Sequence, residues 1–373
     1  MDALMLPLNW QKVRLGDIGK PCMCKRVMKH QTTRYGEIPF YKIGTFGNTA
    51  DAFISKKLFL EYKTKYSFPK KGDILISASG TIGRAVIYDG KPAYFQDSNI
   101  VWIDNDETLV KNDFLFYAYS NVKWNTEHTT ILRLYNDNFR NTLIPLPPLN
   151  EQSAIANILG ALDRYLCALD ALILKKEGVK KALSFELLSQ RKRLKGFNQA
   201  WQRVRLGDIA NYLTSNLSVE QITQQGEIKV YDVNNFIGYT DTTFISDKPY
   251  ISIVKDGSVG RVRILPPKTN ILSTMGALIA NHRTTTEFLF YLLSNFDFKN
   301  FTSGSIIPHI YFKDYKEKTI FLPPLNEQST IANILSALDN EIASLKNKKR
   351  QFENIKKALN HDLMSAKIRV LEK

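Results

Sequence analysis

The chain has 373 residues, a length typical of two or three domains. Hydrophobic residues make up 44% of it and aromatic residues 11%, which is enough for a folded core and excludes wholesale disorder. Lysine and arginine number 51 against 36 aspartates and glutamates, so the net charge is +15. This surplus favours a polyanionic partner, most often nucleic acid; the alternative is a basic protein that is merely soluble.

The cysteines and the apolar runs predict the compartment. The chain has three cysteines, Cys22, Cys24 and Cys167. Their odd number and the lack of C-x-x-C spacing argue against a disulfide scaffold and favour a reducing cellular compartment. No apolar run approaches the ~18–20 residues of a membrane span. Residues 3–8 are too short for a signal-peptide core and lack a basic start. We therefore expect a cytoplasmic protein with no membrane contact.

An internal repeat organises the chain. Residues 10–18 return as residues 201–209, and residues 146–163 return as residues 322–339 with 16 of 18 positions identical. The offset between shared landmarks falls from 191 to 177, so the first copy carries about 14 extra residues after Ser55. This order predicts two variable modules that do one kind of job on different targets, each followed by a nearly identical block.

The variable modules, about residues 10–145 and 201–321, are predicted to be mixed α/β. Strands are expected at residues 71–77 and 93–104, and short helices at residues 114–120 and 287–294. Residues 191–197 form a charged, glycine-containing linker to the second module.

Each repeated block is predicted to be a long helix. Pro147 and Pro148 punctuate its start, Asn150 is an N-cap candidate, and Glu151 suits the positive end of the helix dipole. Apolar residues then recur at alternating spacings of four and three, a coiled-coil-like pattern. The predicted seam of the helix pair comprises Ile155, Leu159, Leu162, Leu166, Leu169, Ile331, Leu335, Leu338, Ile342 and Leu345. Further stripe positions are Val179, Leu183, Leu187, Phe352, Ile355, Leu359 and Leu363.

About 40 residues in each helix make a rod of roughly 60 Å. One such helix cannot bury its seam alone, so two equivalent helices in one chain most simply pack on each other. The alternative is a pair of ordinary core helices.

Motifs for catalysis are missing from the sequence. There is no P-loop and no H-E-x-x-H, and the five histidines lie far apart, so we expect no metal site, no cofactor and no catalytic residue. The proline pairs resemble the [ND]-P-P-[YF] motif of adenine methyltransferases, but Leu146 and Leu322 stand where that motif binds the base amine. Glu61 and Lys63, with Asp51 upstream, fit the E-x-K pattern of a Mg²⁺-dependent nuclease, as do Glu227 and Lys229, but the composition predicts as many matches by chance.

Two segments of each module carry candidate DNA-binding side chains. Glycine-rich turns at residues 80–84 and 257–261 combine backbone N–H groups with an arginine, which suits a phosphate; the alternative is a plain β-turn. Residues 129–135 and 305–311 interleave polar groups with apolar anchors, which suits base edges; the alternative is an ordinary surface strand. The candidates are Ser79, Thr81, Arg84, Thr129, Thr130, Arg133, Tyr135, Ser258, Arg261, Ser303, Ser305, His309 and Tyr311.

The repeated modules and helical blocks resemble a known family, the DNA-specificity subunits of type I restriction–modification systems. The resemblance covers nearly the whole chain and is strongest in the two P-P-L-N-E-Q segments, residues 147–152 and 323–328, each followed by an apolar helix. Residues 10–18, 36–39, 71–77 and 80–83 add to it. The second module departs from the G-D-I-L pattern at residues 250–257, which leaves its strand register open.

The resemblance implies an α/β architecture with an internal pseudo-two-fold duplication. Two globular mixed α/β target recognition domains, residues 1–145 and 196–321, would be joined by two long antiparallel coiled-coil helices, the conserved spacers at residues 146–195 and 322–373. Each recognition domain would bind one half of a bipartite, asymmetric target in double-stranded DNA.

The resemblance also implies partners. The spacer helices would set the distance between the half-sites and dock methyltransferase subunits, two of them, with restriction and translocase subunits joining. The docking candidates are Asn150, Glu151, Gln152, Asn326, Glu327 and Gln328. The chain itself would be non-catalytic. Its rivals are a Mg²⁺-dependent nuclease that uses Glu61 and Lys63, and a basic structural adaptor.

Overall fold

The computed structural model describes residue 7 and residues 9–128 and 132–370. These residues fall into two compact units. The first unit comprises Met1–Leu169 and Lys348–Lys373, and the second comprises Asp170–Asn347. Each unit therefore combines the variable module of one repeat with segments from both repeated blocks.

The first variable module is a mixed α/β unit, as predicted. Its strands are β1 (Gln11–Arg14), β2 (Gly19–Met23), β3 (Ile38–Tyr41), β4 (Phe53–Ile54), β5 (Ile74–Ser77), β6 (Ala85–Ile87), β7 (Tyr94–Phe95), β8 (Ile100–Asn105), β9 (Glu127–His128), β10 (Leu132–Arg133) and β11 (Leu143–Leu146). Its helices are α1 (Leu15–Ile18), α2 (Lys56–Lys65), α3 (Asn112–Tyr119) and α4 (Asn136–Asn141), with a 3-10 turn at Lys29–Gln31, and the long helix α5 (Leu149–Leu188) follows.

Two sheets form the body of this module. One is antiparallel with strand order β2-β8-β5-β6, and the other has the order β4-β3-β7 with β3 and β7 parallel. Every residue of β5 is buried because the strand is covered on both faces. Ile74 and Ile76 pack with Phe114 of α3 and Leu159 of α5, whereas Leu75 packs on the opposite face with the aromatic cluster around Trp102. The predicted buried strand at residues 71–77 is confirmed in β5.

The second variable module repeats this plan. Its strands are β12 (Gln202–Arg205), β13 (Ala210–Thr214), β14 (Ile228–Tyr231), β15 (Phe236–Thr240), β16 (Tyr250–Val254), β17 (Val262–Leu265), β18 (Thr269–Ile271), β19 (Met275–Ala280), β20 (Thr302–Ser303), β21 (His309–Ile310) and β22 (Thr319–Leu322). Its helices are α6 (Thr286–Ser294) and α7 (Phe312–Tyr315), with 3-10 turns at Leu206–Asp208, Val219–Gln221 and Lys299–Phe301, and the long helix α8 (Leu325–Met364) follows.

The strand orders of the second module, β13-β19-β16-β17 and β15-β14-β18, match those of the first. β16 therefore occupies the place of β5, which settles the register that the missing G-D-I-L pattern left open. The extra residues of the first copy correspond to α2, which has no counterpart between β15 and β16. The Ser55 hydroxyl caps α2 by accepting a hydrogen bond from the Leu58 backbone N–H at 3.2 Å.

The short-helix predictions are confirmed by α3 and α6. The prediction of one strand over residues 93–104 is wrong, because a turn separates β7 from β8. In that turn Ser98 adopts a φ of 60°, and the Asn99 N–H bonds to the Asp97 carbonyl at 2.6 Å. A residue in the left-handed region cannot continue an extended strand.

The long helices α5 and α8 each span 40 residues. The N-cap prediction for Asn150 is wrong, since α5 begins at Leu149. The Pro148 carbonyl accepts the N–H of Gln152 at 2.9 Å, and the Asn150 side chain accepts the adjacent Glu151 N–H at 3.0 Å. Asn150 therefore satisfies a free donor of the first turn from inside the helix.

Segments of α5 and α8 pack antiparallel within each unit. In the first unit Asp163 binds Lys356, and the rings of Tyr165 and Phe352 lie 4.7 Å apart. Residue numbers increase along α5 where they decrease along the facing stretch of α8, so the two segments run antiparallel.

The second unit repeats this arrangement. The Glu177 carboxylate lies 2.6 Å from Lys346 Nζ, and Lys180 Nζ lies 2.5 Å from Asp339. The predicted antiparallel helix pair is confirmed.

None of the ten predicted seam residues is exposed. Ile155 and Leu159 also belong to the core of the first module, and Ile331 and Leu335 to that of the second, so the start of each helix is anchored in a module. The stripe prediction is wrong at Val179 and Ile355, which are 45% and 50% exposed. The adjoining residues, Lys180 and Lys356, turn toward the other helix and form the ion pairs described above.

A buried carboxylate joins each long helix to its module. Glu327 is fully buried and accepts hydrogen bonds from Trp201 Nε1 at 3.0 Å and from Arg193 Nη2 at 2.7 Å. In the first unit Glu151 is 2% exposed and accepts from Trp10 Nε1 at 3.0 Å and from Arg369 Nε at 2.7 Å. The two arrangements are equivalent under the repeat.

We predict that Arg193→Ala lowers the free energy of unfolding of the second unit by about 3 kcal/mol, because the buried Glu327 charge loses its ionic partner. The matched control is Arg205→Ala, whose ion pair with Glu317 at 2.8 Å joins side chains that are 64% and 52% exposed. The control should cost less than about 1 kcal/mol. Urea unfolding followed by tryptophan fluorescence measures both, and equal losses would contradict the assignment.

Candidate nucleic-acid interface

The glycine-rich turn of the first module connects β5 and β6. The Ser77 carbonyl accepts the Gly83 N–H at 2.9 Å, and the Ser77 hydroxyl accepts the Arg84 N–H at 3.0 Å while donating to the Thr81 carbonyl. Gly83 has a φ of +82°, and a Cβ there would lie 2.1 Å from Trp124 Nε1. Only glycine fits this position.

The second module builds the same turn between β16 and β17. The Val254 carbonyl accepts the Gly260 N–H at 2.9 Å. Gly260 has a φ of +80°, and a Cβ there would lie 2.6 Å from the Phe298 ring. Each turn thus rests on an aromatic ring and projects its arginine, Arg84 or Arg261, from an exposed shoulder.

Each turn pairs with a short strand late in its module, β10 in the first module and β21 in the second. In the first module Ser79 forms an antiparallel bridge with Arg133, and the Leu134 N–H bonds to the Ala78 carbonyl at 2.9 Å. The two segments named from the sequence therefore form one surface, although about fifty residues separate them along the chain.

The second module forms the equivalent surface with other side chains. Asp256 bridges to His309, and the Ile310 N–H bonds to the Lys255 carbonyl at 2.9 Å. The His309 Nδ1 lies 2.6 Å from the Asp256 carboxylate, an interaction that is ionic when the imidazole is protonated. The same backbone scaffold therefore carries Ser79 and Arg133 in one module, and Asp256 and His309 in the other.

The remaining candidates divide by exposure. Exposed candidates are Thr81, Arg84, Tyr135, Ser258, Arg261, Ser303, Ser305 and Tyr311, whereas Arg133 and His309 are half-buried. Ser79 is buried and its hydroxyl donates to Asn99 Oδ1 at 2.7 Å, so it serves to hold the turn in place. Thr129 and Thr130 lie outside the described residues.

Sequence reasoning missed several residues that shape this surface. Asn234 accepts a hydrogen bond from Arg261 Nη2 at 2.9 Å and so orients the exposed guanidinium. Asp256, Asn99, Trp124 and Phe298 were also missed. Asp256 stands at the position of Ser79 in the aligned turns, and that alignment is the one signal that could have found it.

The E-x-K residues do not assemble a metal site. Glu61 pairs with Lys65 at 3.1 Å on the exposed face of α2, and Lys63 Nζ lies 5.3 Å from the Phe68 ring centroid. Asp51 pairs instead with Lys42 at 2.8 Å. Within residues 9–128 and 132–370 there is no group of three histidine, cysteine or acidic side chains placed to hold a metal ion.

A known protein family matches both halves of the chain. The family described as "Type I restriction modification DNA specificity domain" matches residues 7–176 and again residues 198–354. The chain belongs to this family. The double match follows the internal repeat and confirms the family resemblance inferred from the sequence.

Relatives and solved structures agree with the family. The chain is 64% identical over 152 residues to a type I restriction enzyme specificity subunit of Haemophilus influenzae, a match that covers 40% of each chain. It is 25% identical to the type I restriction enzyme MjaVIII specificity subunit of Methanocaldococcus jannaschii over 99% of this chain and 95% of that one.

The fold matches a crystal structure of the type I restriction–modification S subunit from M. genitalium with a TM-score of 0.64. That match has 20% identity and covers 96% of this chain and 98% of that one. A second match, to a structure concerned with complex assembly of the type I R-M system, has a TM-score of 0.56, 16% identity and the same coverage. The predicted architecture of two recognition domains with long helices is confirmed.

The glutamate and glutamine of the specificity-family signature P-P-L-N-E-Q are buried in both copies. Gln152 donates through Nε2 to the carbonyls of Leu109 at 2.9 Å and Pro147 at 2.8 Å, and it is fully buried. Gln328 repeats this role, and Glu151 and Glu327 hold the arginines described above. Burial gives these four residues an internal role. Of the predicted docking residues, Asn150 and Asn326 are exposed.

Among the described residues of this specificity-family chain, no helix combines the length and apolar character needed to cross a membrane.

We predict that Gly260→Ala destabilises the second module more than Gly257→Ala does. Both glycines have positive φ, of +80° and +82°, so each alanine carries about 1 kcal/mol of backbone strain. A Cβ at Gly257 meets no atom within 4 Å, whereas one at Gly260 overlaps Phe298 and should cost about 1–3 kcal/mol more. Thermal unfolding measures the difference, and equal shifts would show that the aromatic ring does not support the turn.

Proposed function

We propose that the chain is the non-catalytic DNA-reading subunit of a type I restriction–modification complex. Residues 1–145 and residues 196–321 each bind one half of a bipartite, asymmetric target in double-stranded DNA. The observation that carries this proposal is the duplicated surface of turn and strand, whose backbone is kept while its side chains change. Two readers of different half-sites need such a difference at base-contacting positions.

The charge supports a duplex partner. The net charge is +15, and matching exposed arginines, Arg84 and Arg261, project from the turns of the two modules. Contacts with phosphate oxygens from both modules would position the protein, and the half-buried Arg133 and His309 would contact base edges.

The long helices suit the role of spacers. Residues 146–195 and 322–373 set the distance between half-sites and dock two methyltransferase subunits, which restriction and translocase subunits join in the cytoplasm. Asn150 and Asn326 are exposed at equivalent positions in the first turns of their helices and are the docking residues that burial leaves available. In this complex the methyltransferase subunits supply the methyl-transfer chemistry.

Methylome sequencing of host cells with and without the gene tests the function. We expect one asymmetric, two-part methylated motif that disappears with the gene. An unchanged methylome, combined with equal affinity for all duplexes in fluorescence anisotropy, would instead support the basic adaptor. Cleavage of DNA by the purified chain with Mg²⁺ would support the nuclease.

We predict that Arg84→Ala weakens binding to cognate and scrambled duplexes alike and lowers the slope of log affinity against log salt by about 1, because one phosphate contact is lost. Arg133→Ala should cost about 1–3 kcal/mol on the cognate duplex and relax one base position. Fluorescence anisotropy across a salt series measures both variants.

The two arginines serve as each other's control. If Arg84→Ala selectively removes the cognate preference and Arg133→Ala acts uniformly, the positioning and reading roles are reversed. If neither variant changes binding, both arginines are structural.

We predict that inserting four residues after Leu169 in α5 and after Asn347 in α8 changes the gap between half-sites and leaves their sequences unchanged. Both insertions fall at the boundary between the two units, so each unit keeps its own ion pairs between the helices. Methylome sequencing reports the gap. Altered half-site sequences with a constant gap would contradict the role of the helices as spacers.

A further inference from the structure

The hairpin of β20 and β21 carries an unusual tip. Residues 304–308 connect its strands, and within them Ile306 is 92% exposed and Ile307 is 54% exposed. Tyr311, just beyond the hairpin, is 51% exposed. Hairpin tips favour glycine, asparagine, aspartate, serine and proline. Two adjacent exposed isoleucines do not stabilise such a tip, and contiguous exposed apolar surface marks an interaction site.

The tip is held in a defined place. Gly304 has a φ of +91°, and a Cβ there would lie 2.3 Å from the Ile307 carbonyl oxygen, so the backbone folds tightly. The Gly257 N–H bonds to the Pro308 carbonyl at 2.9 Å, which fastens the tip to the glycine-rich turn. The isoleucines therefore extend the surface that includes His309.

The surroundings favour a polyanion. Arg261 lies exposed in the same turn, and Lys255 precedes Gly257 in it. Lys313 Nζ lies 5.4 Å from the Tyr311 ring centroid, which places another cation beside the hairpin. An apolar tip with flanking cations is complementary to a groove whose floor is formed by bases and whose rim is formed by phosphates.

We propose that Ile306 and Ile307 contact the 5-methyl group of a thymine in the major groove of the half-site bound by the second module. This inference rests on the proposed function. Two paired strands lie about 4.8 Å apart. With side chains such a ribbon fits the major groove, which is about 12 Å wide, better than the minor groove of about 6 Å. The thymine methyl is the apolar group that the bases present in the major groove.

The contact distinguishes thymine from cytosine without a hydrogen bond. Ser305 and His309 flank the isoleucines and supply the polar groups for neighbouring bases. The segment of the first module that corresponds to the tip includes residues outside the described chain, so the inference concerns the second module.

The test replaces each thymine of the cognate second half-site with deoxyuridine, one at a time, and measures the binding of the full chain by fluorescence anisotropy. We expect one position at which the loss of the methyl weakens binding about fourfold, since a buried methyl contributes about 0.8 kcal/mol. In the Ile306→Ala, Ile307→Ala double variant, thymine and deoxyuridine should bind equally. Ile355→Ala removes another half-exposed isoleucine and should keep the fourfold difference.

Three outcomes would overturn the inference while the proposed function stands. The second half-site could contain no thymine, or the chain could tolerate deoxyuridine at every position and still prefer its cognate duplex. The third is a double variant that keeps the fourfold difference between thymine and deoxyuridine. Increased 2-aminopurine fluorescence at a base step on binding would show that the tip instead inserts between bases, which also overturns it. A wild-type chain with no cognate preference would contradict the proposed function itself.

Discussion

A buried carboxylate in the first turn of each long helix is the interaction on which the rest of each unit depends. Glu151 and Glu327 are at most 2% exposed, and transferring such a charge out of water is costly unless it is paired and hydrogen-bonded. Each carboxylate meets this requirement with an arginine and a tryptophan N–H, and the positive end of the helix dipole adds to it. The tryptophan comes from the start of the module. The arginine, Arg193 or Arg369, comes from just beyond the end of a long helix.

A second set of polar contacts, also repeated in both units, lies farther along the long helices. Asp163 accepts a hydrogen bond from the Tyr117 hydroxyl at 2.7 Å and pairs with Lys356. Burial, and then the hydrogen bond to Asp163, raises the pKa of Tyr117, so the phenol keeps its proton to a higher pH than an exposed tyrosine does. Tyr291, Asp339 and Lys180 repeat the set in the second unit. These polar contacts have geometric requirements that an apolar stripe lacks, so they specify the antiparallel register of the two helices.

The sequence predicted the repeat, the long helices and the buried strand at β5, because identity and periodicity are local signals. It also named the two segments of the candidate DNA-binding surface. It did not predict the bridges between Ser79 and Arg133 or between Asp256 and His309, because tertiary packing decides pairing at that separation. The burial of Glu151 was missed for the same reason, since Arg369 lies 218 residues away. The turn at residues 97–99 was predictable in principle, as aspartate, serine and asparagine favour turns.

The modules separate the groups that hold the surface from the groups that differ on it. The bond from Leu134 N–H to Ala78 in the first module and that from Ile310 N–H to Lys255 in the second have the same length, 2.9 Å, and join backbone atoms alone. Because such bonds do not involve side chains, exchanging arginine for histidine at the bridge leaves the scaffold intact. The constraint falls instead on the glycines that rest against Trp124 and Phe298, where a side chain has no room. The bridge positions can therefore diverge on a constant scaffold, which is the physical condition that the proposed recognition of different half-sites requires.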